Sequence, residues 1–420
     1  MASVLPRPPG SAAAVLAARR GLTAERRLAL RDAWSALWWS RALVWGAGLC
    51  ALLALGPHGH NERAYDPAGL TRPFGALGDL LVGPAARWDS QWFLLIAKDG
   101  YVDDDRTAFF PLYPLLAHVA GAPFSSPLLG GVLVSFTCFL VALYLLHRLT
   151  TLELGPDLAR PTVLLCAFFP MSFFFSAVYS EALFLALATG TVYAARLNRW
   201  PLAAALALLA GTSRSAGVLL LVPLAILWWR SDGRRMRDAV WLAVVPLGPA
   251  AYALYLDAAT GHAGAAFSAQ DAWMRHFAGP FAGMWDGTVA AFDGARQLLS
   301  GSRSPVYFEI AAGDPFSVAG HNLTLFAFLV FAVLATVGVL RRLPLAYGAW
   351  CVAMLALPLS YPVETQPLMS LPRFVAVLFP VYMWLALWLQ RRRWADWGLA
   401  LSAVGLVVFS AQFACWVWIA

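Results

Sequence analysis

Along most of the chain, apolar runs alternate with short polar segments in which the arginines gather. The continuous runs are residues 41–56, 127–146, 161–179, 182–195, 239–256, 323–340, 344–361, 374–389 and 397–419. A bilayer core asks for about 20 apolar residues per helix. The first run is short for that, which predicts Trp38 and Trp39 at the interface where it enters. Two shorter runs, 201–212 and 216–229, flank Ser213-Arg214-Ser215. Neither can cross alone, so the pair places Arg214 in the membrane region or just under its outer face, unless it is one long helix with a buried arginine.

Two long polar and aromatic segments interrupt the alternation, 57–125 and 257–320. Within the first, 111–121 is too short and too proline-broken to span, and predicts a helix on the surface or dipping partway in. Residues 1–40 hold Arg7, Arg19, Arg20, Arg26, Arg27 and Arg31 against Glu25 and Asp32, without a compact apolar core or a small-residue cleavage site. That predicts a basic cytoplasmic arm that is retained. The expected architecture is an all-α polytopic membrane protein, a single transmembrane domain over 41–420 with about 10 to 11 helices and two large outward loops. No fixed-period internal repeat is evident, which weakens a transporter built of duplicated halves.

Composition changes the picture in one direction only. Hydrophobic residues make up 60% of the 420, charged residues 13%, and the mean hydropathy is +0.65. Soluble domains carry about a quarter charged residues, so that class is excluded. The net charge of +7 does not gather on one solvated face, which argues against a nucleic-acid partner. It reads as topology instead. With the arm inside, two thirds of the 30 basic residues fall on cytoplasmic segments, Arg41, Arg148, Arg196 and the clusters at 230–237, 341–342 and 391–393 among them, against under a third of the 23 acidic ones. Both long loops then face outward. The five cysteines, Cys50, Cys138, Cys166, Cys351 and Cys415, lie within apolar runs without metal-ligand spacing and read as packing residues.

Candidate chemistry concentrates in Arg87-Trp88-Asp89-Ser90-Gln91-Trp92, followed by Gly100-Tyr101, Asp103-Asp104-Asp105 and Phe109-Phe110-Pro111-Leu112-Tyr113-Pro114. A carboxylate among aromatics can act as a base on a sugar hydroxyl, because desolvation raises its pKa and aromatic faces suit the C–H faces of a sugar ring. The competing reading is an aspartate capping a short interfacial helix, with the tryptophans as membrane anchors. The layout brings Glu181, Arg214 and Arg373 to the same side as Asp89. Intramembrane charges mark function by default, although Glu181 could cap a helix N-terminus and each arginine could snorkel to the interface. Two arginines near a carboxylate would suit a lipid phosphate. In the second loop, Trp273, His276, Trp285, Asp286 and Glu309 could shape an acceptor site or only cover the cavity.

These residues carry a resemblance. Arg87-Trp88-Asp89 with Phe93, Ile96-Ala97, Gly100-Tyr101, Ala108-Phe109-Phe110-Pro111 and Pro114 resembles the first-loop signature of the PIG-V family, the second mannosyltransferase of GPI-anchor synthesis. Phe169-Pro170 with Ser176-Ala177-Val178-Tyr179-Ser180-Glu181, and Ser213-Arg214-Ser215-Ala216-Gly217, are similar to its next two blocks, and Arg373-Phe374 is more weakly similar to a late one. The resemblance implies a GT-C-type fold and transfer of mannose from a polyprenyl-phosphate donor on the non-cytoplasmic face. It implies Asp89 as the base; the chemistry expected around it is a single inverting displacement, with Arg214 and Arg373 as candidates to stabilise the departing donor phosphate. Trp88, Gln91, Trp92, Tyr101, Asp104, Phe110, Tyr113, Tyr179 and Glu181 are the expected substrate contacts. The family usually has His where this chain has Trp92, so any role of that His is absent. Asp103 and Asp105 could equally form a solvated turn or a weak cation site.

No resident metal or cofactor is expected; a divalent cation is neither required nor excluded, and the lipid-phosphate sugar is a co-substrate. The expected partners are that donor, a lipid-linked or glycan acceptor, the membrane and a small accessory membrane subunit. A single lysine, Lys98, beside 29 arginines suggests a GC-rich bacterial genome and a plasma-membrane location, with the endoplasmic reticulum the alternative for a eukaryote. Bacteria make no GPI anchors, so the acceptor would differ. Protein O-mannosylation, another GT-C sugar transfer and lipid-glycan transport are the competing functions.

Overall fold

The computed structural model describes residues 12–231, 235–308 and 313–419. Among these residues helices are the regular structure, beside one isolated antiparallel bridge, Arg275 to Val363. Five helices are long and apolar enough to cross a membrane, Thr23–Leu55, Pro127–Leu154, Met236–Thr260, Pro315–Arg342 and Ala395–Ala414. Shorter apolar helices, among them Trp200–Ser213 and Leu345–Ser360, pack between them.

The first helix departs from expectation. It runs unbroken as Ala12–Leu55, so Arg41 lies inside it rather than at a cytoplasmic boundary. Arg41 is 2% exposed and gives its guanidinium to the carbonyls of Ser172 and Ala167 and the hydroxyls of Ser172 and Ser176, at 2.6–3.1 Å. Its partners explain a second departure. The expected span at 161–179 is a helix only as Pro156–Ala167, followed by a short 3-10 turn, Ser172–Phe175. Irregular backbone survives at membrane depth only where protein satisfies its polar groups. Arg41 supplies those donors.

The expected helix at 374–389 is likewise two pieces, Leu371–Ala376 and Phe379–Arg392, parted just before Pro380. Within the spanning stretch Met236–Thr260, the run at 239–256 tightens to a 3-10 turn, Val240–Val244, ahead of the regular helix Leu247–Thr260. The predicted surface helix is Leu112–Gly121, but it packs tightly on Pro127–Leu154. A Cβ on Gly130 would stand 2.1 Å from the Ala117 carbonyl, so only glycine permits that crossing. The second loop carries a helix of its own, Ala282–Ser300, laid against Pro315–Arg342.

Charge sorts to two ends of the bundle. The helix Glu181–Arg196, about 24 Å long at 1.5 Å per residue, has an acid at its first residue and a base at its last. At the Arg196 end lie the pairs Arg196–Glu153, Arg148–Glu25 and His147–Asp32, with the Tyr347 hydroxyl donating to Glu153 at 2.9 Å. At the Glu181 end lie Asp89, Arg214 and Arg373. The first-loop motif and the late arginine, far apart in sequence, therefore share one pole.

Candidate active site

The turn into Asp89 is strained and held. Trp88 has φ +54°, a left-handed conformation that costs such a residue about 1–3 kcal/mol. The Tyr179 hydroxyl spans the turn, donating to the Arg87 carbonyl at 3.0 Å and accepting the Asp89 amide at 3.1 Å. Arg87 anchors the other flank, its Nε donating to the Ala414 carbonyl at 2.9 Å. The Trp88 ring is wedged among Tyr65, Trp416 and Trp418, with centroids 4.7–5.5 Å apart.

Asp89 occupies the N-cap position of the helix Ser90–Asp99, yet its side chain makes no capping bond. Its Oδ2 accepts from Arg373 Nη1 instead. The partner of this carboxylate is thus a cation from the far end of the chain, and the capping alternative fails. Arg373 also donates from Nε to Glu181 Oε1 at 2.8 Å, and lies over the rings of Tyr179 and Phe174. Arg214 breaks its helix in an extended conformation, φ −159° and ψ 145°, and brings Nη1 to 3.0 Å from the same Glu181 oxygen. Both arginines turn inward and neither snorkels. Glu181, with no exposed surface, is the hub that sets their positions.

These groups border a cavity of about 520 Å³, within the usual range for small-molecule sites. Asp89, Arg214 and Arg373 form its charged wall, and Phe93, Phe109, Phe110, Phe267 and Phe374 much of its apolar one. The second loop contributes Asp271, Arg275 and His276, so it is part of the wall. Sequence reasoning missed Arg275. The signal was its neighbourhood, with His276 singled out beside it, since a loop residue carries no periodicity to mark its direction.

Several expected substrate contacts lie elsewhere. Trp88, Gln91, Trp92, Tyr101, Asp104, Tyr113, Tyr179 and Glu181 do not line the cavity. Trp88 is held by its aromatic neighbours, and Trp92 stacks on the back of Phe109 at 5.8 Å. Gln91 is 9% exposed. The Tyr101 hydroxyl donates to the Phe109 carbonyl at 2.6 Å, and burial keeps it protonated far above the usual phenol range. Tyr113 is fully buried, sharing its hydroxyl with Ser135 and the Gly131 carbonyl. Asp104 sits on an exposed turn, where its carbonyl accepts from Thr107, and Asp103 pairs with Arg106 at 2.7 Å. Tyr179 and Glu181 act from behind the wall. In the second loop Trp285 is exposed, Asp286 does not reach the cavity, and Glu309 lies outside the described residues. Trp273 ends the short turn Ala269–Trp273. Among the described residues no group of three His, Cys, Asp or Glu is placed to hold a metal ion.

Fold and site together define an all-helical, multi-spanning protein with a carboxylate–arginine cluster on the wall of one cavity. Residues 75–227 match the family described as Mannosyltransferase (PIG-V), a segment that holds Asp89, Tyr179, Glu181 and Arg214. The resemblance carried by the motifs is borne out there. Over 141 residues the chain is 36% identical to GPI alpha-1,6-mannosyltransferase 2 of Rattus norvegicus, covering 30% of this chain and 28% of the relative. The Homo sapiens protein of the same name is 36% identical over 143 residues, 30% and 29% of the two chains. GPI mannosyltransferase 2 of Drosophila melanogaster is 32% identical over 115 residues, 24% and 25%. The chain thus spans under a third of the length of these relatives. A crystal structure of the Archaeoglobus fulgidus oligosaccharyltransferase tethered with an acceptor peptide aligns with 90% of this chain and 55% of that one, at 12% identity and a TM-score of 0.43, too low to establish a common fold.

Proposed function

We propose that this chain is a membrane mannosyltransferase of GT-C type that moves mannose from a polyprenyl-phosphate donor to a lipid-linked or glycan acceptor at the non-cytoplasmic face. The observation that supports it most is Asp89, held by Arg373 at the cavity wall inside the family-matched segment. Asp89 Oδ2 is taken by the arginine, and Oδ1 receives no hydrogen bond among the described residues. In the reaction the acceptor hydroxyl gives its proton to Asp89 as its oxygen bonds to the anomeric carbon. The anomeric C–O bond to the phosphate breaks with its electron pair on the phosphate, leaving the polyprenyl phosphate. Displacement from one face inverts the anomeric centre. The departing phosphate is a good leaving group, so its growing charge calls for cations rather than a general acid, and the chemistry itself demands no resident metal.

The test uses the full chain in lipid nanodiscs with a polyprenyl-phosphate-mannose donor, and compares lipid-linked glycans from wild-type and deletion cells by mass spectrometry. Asp89→Asn is expected to lower kcat about 10²- to 10⁴-fold, the usual reach of a general base, with donor KM little changed. Accumulation of the same precursor, one hexose lighter, in the deletion and Asp89→Asn strains would name the acceptor. Wild-type turnover by Asp89→Asn sinks the mechanism, and no transfer by the wild type sinks the function.

A further inference from the structure

Three guanidiniums face the cavity, and two are already committed to carboxylates. Arg373 gives Nη1 to Asp89 and Nε to Glu181, and Arg214 sits 3.0 Å from Glu181. Arg275 has no carboxylate at ion-pair distance among the described residues. Its side chain donates from Nη2 to the Ser370 hydroxyl at 3.0 Å. Among the described residues Arg275 is therefore the cavity-wall guanidinium with no carboxylate directly against it, although Asp271 lines the same wall. Burial, with Arg373 and Arg214 nearby and Asp89 opposing, lowers its pKa to about 10, so it is a cation at neutral pH.

Its mounting is rigid. Met274, at φ +52°, turns the chain so that Arg275 bridges to Val363. The Glu364 amide donates to the Met274 carbonyl at 3.3 Å, and the Ala278 amide to the Ser360 carbonyl at 3.1 Å. Both flanks of Arg275 are thus pinned to the segment that leads to Arg373. Ser370 joins the two, because its carbonyl accepts the Arg373 amide at 3.0 Å while its hydroxyl accepts Arg275. A half-buried cation with no carboxylate at ion-pair distance, fixed on the wall of a cavity rich in apolar surface, is costly until an anion arrives.

We infer that Arg275, rather than Arg373, takes the phosphate of the lipid donor, and that Arg373 is a positioning residue that holds Asp89. The identity of that donor rests on the mannosyltransferase reading. An arginine with no carboxylate at ion-pair distance can meet the single negative charge of a phosphodiester directly. The released monophosphate carries about −1.5 to −2 at neutral pH, so the same arginine binds more strongly as the bond breaks.

Binding of polyprenyl monophosphate to the purified full chain in nanodiscs tests this, with polyprenol and inorganic phosphate as parallel ligands. The wild type is expected to bind polyprenyl monophosphate at least tenfold more tightly than either. Arg275→Gln should lose at least tenfold in that affinity, Arg275→Lys should recover part of it, and both should melt close to the wild type. Arg373→Lys should keep the affinity within threefold while transfer collapses. Equal affinity in wild type and Arg275→Gln overturns the inference, as does a wild type that prefers inorganic phosphate or binds no polyprenyl monophosphate. Arg275-dependent binding in a chain that transfers no mannose keeps the inference and removes the transferase reading. Transfer that survives Arg275→Gln with an unchanged donor KM does the reverse.

Discussion

At the scale of single residues the site is governed by who holds whom. Glu181 touches no cavity surface, yet one of its oxygens receives both Arg214 and Arg373. Neutralising it leaves two buried cations short of charge, and breaking a buried ion pair in this way costs about 3–5 kcal/mol. Glu181→Gln is therefore expected to melt well below the wild type in the same detergent, and to lower kcat more than it raises donor KM, because Asp89 loses its fixed partner. A melting temperature unchanged from the wild type would show that the arginines are positioned without Glu181. The residue types that carry this cluster were legible in the sequence, since charged side chains beside apolar runs are few. The direction of the aromatic ones was not. Trp88 and Tyr113 stand in the motif beside residues that do face the cavity, but Tyr65, Trp416 and Ser135 claim them, and two of those three come from other parts of the chain.

At the scale of elements, the breaks in helices matter more than the helices. The helix Trp200–Ser213 stops where Arg214 becomes extended, and Gly217 lets the next turn fold back over its end. A Cβ on Gly217 would stand 2.3 Å from the backbone of Ala210 and Gly211, atoms that cannot step aside. Gly217→Ala should destabilise the chain by about 1–3 kcal/mol or more, and should weaken transfer through Arg214 even where the protein still folds. Thermal melting beside a kcat measurement checks this, and a variant equal to the wild type in both would show that the break yields. Hydropathy located the pair of short runs and left their geometry open. It also merged 161–179 and 374–389 into continuous spans, because apolar residues line the irregular segments as densely as the helices. Only the donors of Arg41 show why one of those breaks is stable.

At the scale of the whole molecule, the proposed outward-facing site predicts that the two charged poles lie on opposite sides of the membrane. Asp104 is exposed in the first loop near the cavity pole, and Arg392 is the exposed last residue of the helix Phe379–Arg392. With Cys50 and Cys138 changed to Ser, a membrane-impermeant maleimide added to intact cells should label Asp104→Cys and spare Arg392→Cys, and inverted vesicles should reverse the pattern. Labelling of both from one side would overturn the proposed outward facing of the site.

The sequence by itself determined the membrane class, the helical content, the two long loops and the three charged residues Asp89, Arg214 and Arg373 of the cavity wall. Each follows from local chemistry, because an apolar run, a proline or a charge in a hydrophobic setting has the same meaning wherever the chain goes. The tertiary structure decided that Arg373 pairs with Asp89 across the length of the chain, that Glu181 sits behind the wall, that Arg41 is a buried donor, and that the second loop brings Arg275 to the cavity. Those are relations between distant segments, fixed by packing and by the need of each buried polar group for a partner, and no local pattern encodes them.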